Sequence, residues 1–152
     1  MKIIKLLFLM FLISCGKDND TAPELATFNL KEQRIKLEDL FIKNRPLLIT
    51  FWSETCGVCM QEIKELENNF NNLNFAFINI DGEKVNTLKT AEKFNLNQEK
   101  ILKDQLNITA QRYELKGTPS SFLISQDKKL LKKFIGKVNY EELNSYLNQL
   151  NF

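Results

Sequence analysis

The chain of 152 residues contains no histidine, and this absence excludes several kinds of site. Nucleophiles activated by a Ser-His or Cys-His pair and metal centres built on imidazole both need that residue. Cysteine is also scarce, with three in the chain, at positions 15, 56 and 59. Their one C-x-x-C pair supplies two of the four ligands of a structural zinc site, and no disulfide framework can be built. The sequence therefore predicts no metal site and no cofactor.

An excess of charge of one sign is missing as well. The 21 basic and 19 acidic residues give a formal net charge of +2. Lys2 and Lys5 lie in an N-terminal segment that we expect to be removed, which leaves 19 basic residues against 19 acidic ones. A balanced chain lacks the clustered basic surface that nucleic acids require, so we predict no nucleic-acid partner.

The N-terminus has the order of features of an export signal. A charged start is followed by an apolar run over residues 3–13, interrupted by Lys5 and closed by Ser14-Cys15. The run is shorter than the ~20 residues of a membrane-spanning helix, so residues 1–14 are predicted to be a signal peptide. Leu-Ile-Ser-Cys resembles the lipobox of bacterial lipoproteins, which implies a lipid on the thiol of Cys15. The alternative is an ordinary signal in which this cysteine is incidental.

The lipobox resemblance implies a location outside the cytoplasm, on the periplasmic side of a bacterial membrane, and leaves open which membrane. Residues 15–25 are polar, contain one proline and lack periodicity, so they are predicted to be a lipidated tether. The remaining residues, 26–152, fit one domain with a single core.

Apolar periodicity predicts the order β-β-β-α-β-α-(α)-β-β-α. Leu47–Trp52 is almost continuously apolar, which is typical of a strand buried on both faces, and the helix after it has apolar residues at three- and four-residue steps. Asp81 or Gly82 is expected near the cap of the next helix, and Asn139 at the start of the last. This order predicts an α/β fold with a mixed central sheet flanked by helices. The predicted strands cover residues 26–30, 34–37, 47–52, 75–80, 121–124 and 130–135.

Cys56 and Cys59 directly follow the buried strand. A helix that begins there stabilises a thiolate, because its unpaired N–H groups and its dipole point at the first sulfur. The pattern predicts a dithiol redox site, and the alternative is a chance C-x-x-C in a structural position.

Two segments resemble the signatures of thioredoxin-fold proteins. Residues 51–59 resemble F-W-x-x-x-C-x-x-C, and residues 116–124 resemble a G-T-P loop followed by a strand. With the lipobox-like signal and a βαβ-type insertion between the motifs, residues 26–150 resemble the membrane-anchored thiol-disulfide oxidoreductases of the TlpA, ResA and CcmG type. The resemblance implies a thioredoxin-like fold with an N-terminal β-hairpin and a central insertion, and an enzyme that exchanges disulfides.

The same resemblance implies roles for individual residues. Cys56 corresponds to the nucleophile and Cys59 to the resolving thiol. Glu62 corresponds to a glutamate that exchanges a proton with the resolving thiol, a role that needs a raised pKa; the alternative is a solvated helix charge. Thr118 and Pro119 correspond to the substrate-binding loop with a cis peptide bond, and the alternative is an ordinary trans turn.

Two further positions belong to this comparison. Trp52 falls in the substrate-binding region of the family, and we expect it to pack beneath the site. Thr50 stands where thioredoxin has a buried aspartate, and because threonine does not shuttle protons at neutral pH, the proton-transfer role shifts towards Glu62.

Three functions remain open from the sequence. The first is a reductant of protein disulfides, for example in cytochrome c maturation, supplied with electrons by a membrane donor of the CcdA or DsbD kind. The second is an oxidant or isomerase that uses the same residues at a higher potential. The third is a non-catalytic thioredoxin-like binding module. In each case the partners are protein thiols or disulfides, and the membrane is contacted through the lipid.

Overall fold

The computed structural model describes residues 20–82 and 86–151. The predicted signal peptide, residues 1–14, and the predicted lipid site, Cys15, lie outside these ranges. Within them no helix is both long and apolar enough to cross a membrane. The helices are α1 (Gly57–Asn69), α2 (Thr87–Lys93), α3 (Ile108–Arg112) and α4 (Tyr140–Gln149). The strands are β1 (Thr27–Asn29), β2 (Arg34–Ile35), β3 (Leu47–Trp52), β4 (Asn74–Asn79), β5 (Ile101–Asp104), β6 (Ser120–Ile124) and β7 (Leu130–Ile135).

The seven strands in the described residues form one mixed sheet in the order β2-β1-β5-β4-β3-β6-β7. At its centre β3 pairs in parallel with β4 and antiparallel with β6. The ends of β3 and β4, at Trp52 and Asn79, therefore lie at the same edge of the sheet. The start of β6 lies there too, because Phe51 pairs with Ser120. Three connections thus converge on one edge.

The strand β3 is buried along its whole length, as its apolar composition predicts. Successive side chains point to opposite faces of the sheet. Leu48 and Trp52 pack with α1 and α4 on one face, and Ile49 and Phe51 pack with α3 on the other. The sheet therefore has a hydrophobic layer on each side, in agreement with the predicted α/β arrangement.

The strand β5 was not predicted from the sequence. It pairs in parallel with β4 and antiparallel with β1, and so joins the N-terminal hairpin to the central strands. With four residues, the strand is too short to show an alternating pattern, and its last residue, Asp104, is polar. The carboxylate of Asp104 accepts hydrogen bonds from the backbone N–H groups of Thr109 and Ala110, at 2.9 and 2.8 Å, at the start of α3.

The expected cap of the second helix was wrong. α2 begins at Thr87, and the side chain of Asn86 accepts a hydrogen bond from the N–H of Lys89 at 3.0 Å. Asn86 therefore fills the position predicted for Asp81 or Gly82.

The boundary between tether and domain also needs correction. Residues 20–25 pack against the domain, whereas the sequence predicted a tether over residues 15–25. The carbonyl of Asp20 accepts a hydrogen bond from the N–H of Leu130 at 2.6 Å, and Ala22 and Leu25 are buried. The two apolar side chains are too few to show periodicity, yet their burial and the backbone pairing hold this segment in place.

Candidate active site

The predicted redox pair lies at the start of α1. Cys56 is the N-cap residue and Cys59 lies in the first turn, and their sulfurs are joined in a disulfide with a Cα–Cα distance of 5.3 Å. The Sγ atom of Cys56 accepts a hydrogen bond from the N–H of Cys59 at 3.2 Å. Cys56 is half-buried, whereas Cys59 is 0% exposed. The two sulfurs therefore differ in access.

This position favours ionisation of Cys56 in the reduced protein. The N–H of Cys59, in the first turn, donates to the sulfur of Cys56, and a hydrogen bond to a thiolate is stronger than one to a neutral thiol. The helix dipole acts in the same direction. The sequence prediction of a thiol at a helix N-terminus is confirmed.

Glu62 lies one helical turn after Cys59 and is 0% exposed. Its Oε1 atom accepts a hydrogen bond from the N–H of Val138 at 2.5 Å, and its Oε2 atom has no partner among the described residues. Burial raises the pKa of Glu62, because the charged form loses its hydration; the Val138 hydrogen bond and the charge of Lys137 oppose this effect. The alternative of a solvated helix charge is wrong, and the raised pKa that the predicted role requires is present.

The loop after β7 connects Glu62 to the predicted substrate-binding loop. Gly136 donates its N–H to the carbonyl of Pro119 at 2.9 Å, two residues before the contact of Val138 with Glu62. Between them the Nζ atom of Lys137 lies 2.8 Å from Oε2 of Glu65. The loop is thus attached to α1 at two carboxylates. Sequence reasoning missed it, because the contacts to Glu62 and Pro119 are made by backbone groups that any residue carries.

Glu65 is held in its charged form. Hydrogen bonds from Lys137, Tyr140 and Gln61 lower the pKa of Glu65 to about 2. The pKa values of two glutamates on one helix are therefore shifted in opposite directions. Glu65 accepts hydrogen bonds from cationic and hydroxyl donors, whereas Glu62 is shielded from water.

The Thr118–Pro119 peptide bond is cis, as the family resemblance implies. Pro119 is buried and Thr118 is half-buried. Because the next residue, Ser120, pairs with Phe51, this loop adjoins the edge from which β3 leads to Cys56. The structure thus brings the predicted binding loop and the redox pair to the same edge.

Trp52 does not contribute an exposed surface. It is 0% exposed and packs in the same hydrophobic cluster as Cys59, which confirms the expectation that it lies beneath the site. Its placement among the substrate-binding residues is corrected accordingly. Thr50 is buried as well, and its hydroxyl lies 2.8 Å from that of Ser121 on β6. Thr50, which the family resemblance aligns with thioredoxin's buried aspartate, is thus paired with a second neutral hydroxyl.

Other candidate ligands do not assemble near the site. Within residues 20–82 and 86–151, no group of three or more cysteine, aspartate or glutamate side chains lies close enough together to hold a metal ion. The structure joins the two sulfurs of Cys56 and Cys59 and places Glu62 one helical turn further along α1.

The fold and the site define a class: a thioredoxin-fold protein with a C-x-x-C disulfide at the start of a helix. A model of the AhpC/TSA family matches residues 19–133, and the chain belongs to this family.

Named relatives agree with the class. The thiol-disulfide oxidoreductase ResA of Bacillus cereus is 25% identical over 134 residues, covering 85% of this chain and 76% of the relative. ResA of Bacillus subtilis is 23% identical over 141 residues, covering 90% and 75%. The thioredoxin domain of a thiol-disulfide oxidoreductase from Bacteroides vulgatus has a TM-score of 0.69 at 19% identity, covering 83% of this chain and 94% of that one. The predicted thioredoxin-like fold and the predicted enzyme class, a thiol-disulfide oxidoreductase, are confirmed.

Proposed function

We propose that the protein is an extracytoplasmic, lipid-anchored reductant of protein disulfides. The observation that carries the redox part of this proposal is the asymmetry of the cysteine pair. Cys56 is accessible and accepts a hydrogen bond from a helix N–H, whereas Cys59 is fully buried behind it. An accessible sulfur that is stabilised as a thiolate suits attack on a partner, and a shielded sulfur three residues later suits release of that partner.

The exchange proceeds in two steps. The Cys56 thiolate attacks one sulfur of a client disulfide, and the other client sulfur leaves as a thiolate. Cys59 then loses its proton and attacks Sγ of Cys56, which releases the second client sulfur and forms the disulfide seen in the structure. Two electrons pass from the protein to the client, which becomes a dithiol.

Glu62 is proposed to accept the proton of Cys59 and return it to the sulfur that leaves. Its burial on the same helix, its raised pKa and the unpartnered Oε2 atom support this role. An unchanged titration of Cys59 in the Glu62→Gln variant would contradict this proton-transfer role.

The loop Thr118–Pro119 is proposed to bind the client. The half-buried backbone of Thr118, next to the buried cis proline, is suited to pairing with an extended segment that carries the client cysteine. An extended segment adds its hydrogen bonds to the protein without a deep pocket, which suits a range of client sequences.

The anchor and the electron donor complete the proposal. The lipobox-like segment ending at Cys15 supports a lipid anchor on the periplasmic side. A membrane protein of the CcdA or DsbD kind is the proposed donor, which returns the Cys56–Cys59 disulfide to the dithiol. Apocytochrome c, whose haem-binding cysteines must be reduced before haem attachment, is a proposed client. The relatives are named thiol-disulfide oxidoreductase ResA, which is consistent with a protein that uses a dithiol.

The direction of electron flow is tested by the equilibrium potential of the Cys56–Cys59 couple against glutathione. We expect a value near or below about −250 mV, as for reducing members of the fold; a value near about −120 mV, that of a strong oxidant, would replace the proposal by the oxidant or isomerase function.

Activity itself is tested by trapping. We expect Cys59→Ser to accumulate a mixed disulfide with a client peptide, because the resolving sulfur is gone, and Cys56→Ser to form none. If the wild-type protein did not exchange disulfides, the proposal would be replaced by the alternative of a non-catalytic binding module.

A further inference from the structure

The carboxylate of Asp81 faces the loop that carries the redox pair. Asp81 follows β4, and the cap of α2 that the sequence predicted at Asp81 or Gly82 is formed by Asn86. Because β3 and β4 are parallel neighbours, the residues after Asn79 lie beside the residues after Trp52. Asp81 therefore lies beside the loop between β3 and α1.

Both carboxylate oxygens of Asp81 bind this loop. Oδ1 accepts a hydrogen bond from the hydroxyl of Ser53 at 2.7 Å, and Oδ2 accepts one from the backbone N–H of Glu54 at 2.7 Å. Asn79 orients the carboxylate, since its Nδ2 donates to Oδ2 at 2.8 Å and its Oδ1 accepts the N–H of Asp81 at 3.0 Å. Hydrogen bonds to an ionised carboxylate are short and about twice as strong as neutral ones.

The loop passes this restraint to the nucleophilic sulfur. The carbonyl of Ser53 accepts the N–H of Cys56 at 3.1 Å, and Cys56 is the residue that caps α1 with its sulfur. The other side-chain hydrogen bonds of the loop join Ser53 to Thr55 and are local. Among the described residues, Asp81 is thus the one side chain from outside the loop that hydrogen-bonds to it.

We propose that Asp81 is a positioning residue, which holds Ser53 and Glu54 so that the sulfur of Cys56 stays at the N-terminus of α1 and its thiolate is stabilised there. This inference rests on the proposed redox function. It adds a residue that follows the neighbouring strand β4 to a site that the motif C-x-x-C places on α1 alone. The charge of Asp81 by itself has the opposite effect, because a nearby negative charge disfavours a thiolate.

Positioning by Asp81 lowers the pKa of Cys56 and the charge of Asp81 raises it, so the two effects can be distinguished by titration. The Cys56 thiol is titrated in the reduced protein, and the ultraviolet absorbance of the thiolate is followed. Ser53→Ala removes the Oδ1 contact and keeps the charge, and Asp81→Asn removes the charge and one of the two acceptor oxygens. We expect the pKa of Cys56 to rise in both variants by about one unit, a tenfold loss of thiolate at a pH below the pKa.

The control is Asp127→Asn. The carboxylate of Asp127 also accepts a hydrogen bond from a serine hydroxyl, that of Ser125, but it lies in the turn between β6 and β7, at the far end of the sheet. We expect no change in the titration of Cys56. Urea unfolding of each variant in its oxidised form verifies that the fold is intact.

Two results overturn the proposal. The first is a lower pKa of Cys56 in Asp81→Asn with no change in Ser53→Ala, which means that Asp81 acts by charge alone. The second is an unchanged pKa in both variants. Failure of the proposed function is distinct, because it appears as a wild-type dithiol that does not exchange with protein disulfides, whereas the titration needs no turnover.

Discussion

Glu62 is a carboxyl whose burial makes the stability of the folded protein depend on pH. Its pKa is raised in the folded state by the loss of hydration. Below a pH of about 4.5 the group is protonated in both the folded and the unfolded chain, so it adds no penalty. As the pH rises, the unfolded chain releases the proton first, and the free energy of unfolding falls until the pH passes the raised folded pKa.

Glu62→Gln is expected to remove this pH dependence. A glutamine retains an oxygen that accepts the N–H of Val138 and has no charge to bury. The free energy of unfolding of the variant, minus that of the wild type, should grow from about pH 4.5 upwards, by about 1.4 kcal/mol for each unit by which the folded pKa is raised. Urea denaturation of the oxidised proteins across this pH range measures the difference.

The matched control is Glu99→Gln, which changes an exposed glutamate in the same way. Its difference from the wild type should be much smaller and nearly independent of pH. A constant difference for Glu62→Gln would mean that the carboxyl is not stabilised in its neutral form by the fold.

At the scale of the elements, the sequence predicts those parts whose pattern is long enough to read. β3 shows an almost continuous apolar run, interrupted by Thr50, and α1 shows a regular apolar stripe. The segment 51–59 joins them through the C-x-x-C motif. These suffice to place both sulfurs at a helix start. The signature of the two sulfurs is local, because both cysteines lie within one helical turn.

The parts that could not be predicted depend on neighbours distant in sequence. β5 is identified by its partners β4 and β1 and has little pattern of its own. The packing of residues 20–25 depends on backbone pairing with β7, and the role of Asp81 depends on the parallel pairing of β3 with β4. Each is a consequence of sheet topology, which periodicity does not report.

The start of α4 is an element that the sequence located correctly, and it supports a quantitative prediction. Asn139 is the N-cap, and its Oδ1 accepts the N–H of Glu142 at 3.0 Å. Asn139→Ala leaves that N–H without its partner and should lower the free energy of unfolding by about 1 kcal/mol. Thermal or urea denaturation measures the change.

Asn144→Ala is the control for this helix. Asn144 is exposed within α4, where alanine is the better helix former, so this substitution should be neutral or slightly stabilising. Equal destabilisation by both substitutions would contradict a specific capping role and indicate a general loss of polar surface contacts.

At the scale of the whole molecule, the sheet has a redox end and an opposite end. The redox end contains the residues that follow Trp52 and the loop before Ser120. The opposite end contains the start of β7 at Leu130, to which the carbonyl of Asp20 is bound. The six residues of β3 between the two ends span about 20 Å. The chain thus enters the domain far from the cysteines that react.

The separation of the two ends determines how the proposed lipid on Cys15 would orient the redox site. Five residue steps separate Cys15 from Asp20, and even fully extended they reach no more than about 18 Å. With the proposed lipid on Cys15, the end of the sheet near Leu130 would be held close to the bilayer and the dithiol would face the aqueous side. In this orientation the proposed membrane donor would have to present its own dithiol outside the lipid to reach Cys56, and the proposed clients would approach from solution.

The single tryptophan of the chain reports on this arrangement, because Trp52 lies directly beneath the redox site. On vesicles with nitroxide-labelled headgroups, which quench indole fluorescence at short range, the emission of the lipidated wild-type protein should equal that on unlabelled vesicles. Gln126→Trp adds an indole at the exposed turn between β6 and β7, and this variant should be quenched. Quenching of Trp52 to the same extent would contradict the orientation, whereas failure of the protein to float with vesicles would refute the lipid anchor instead.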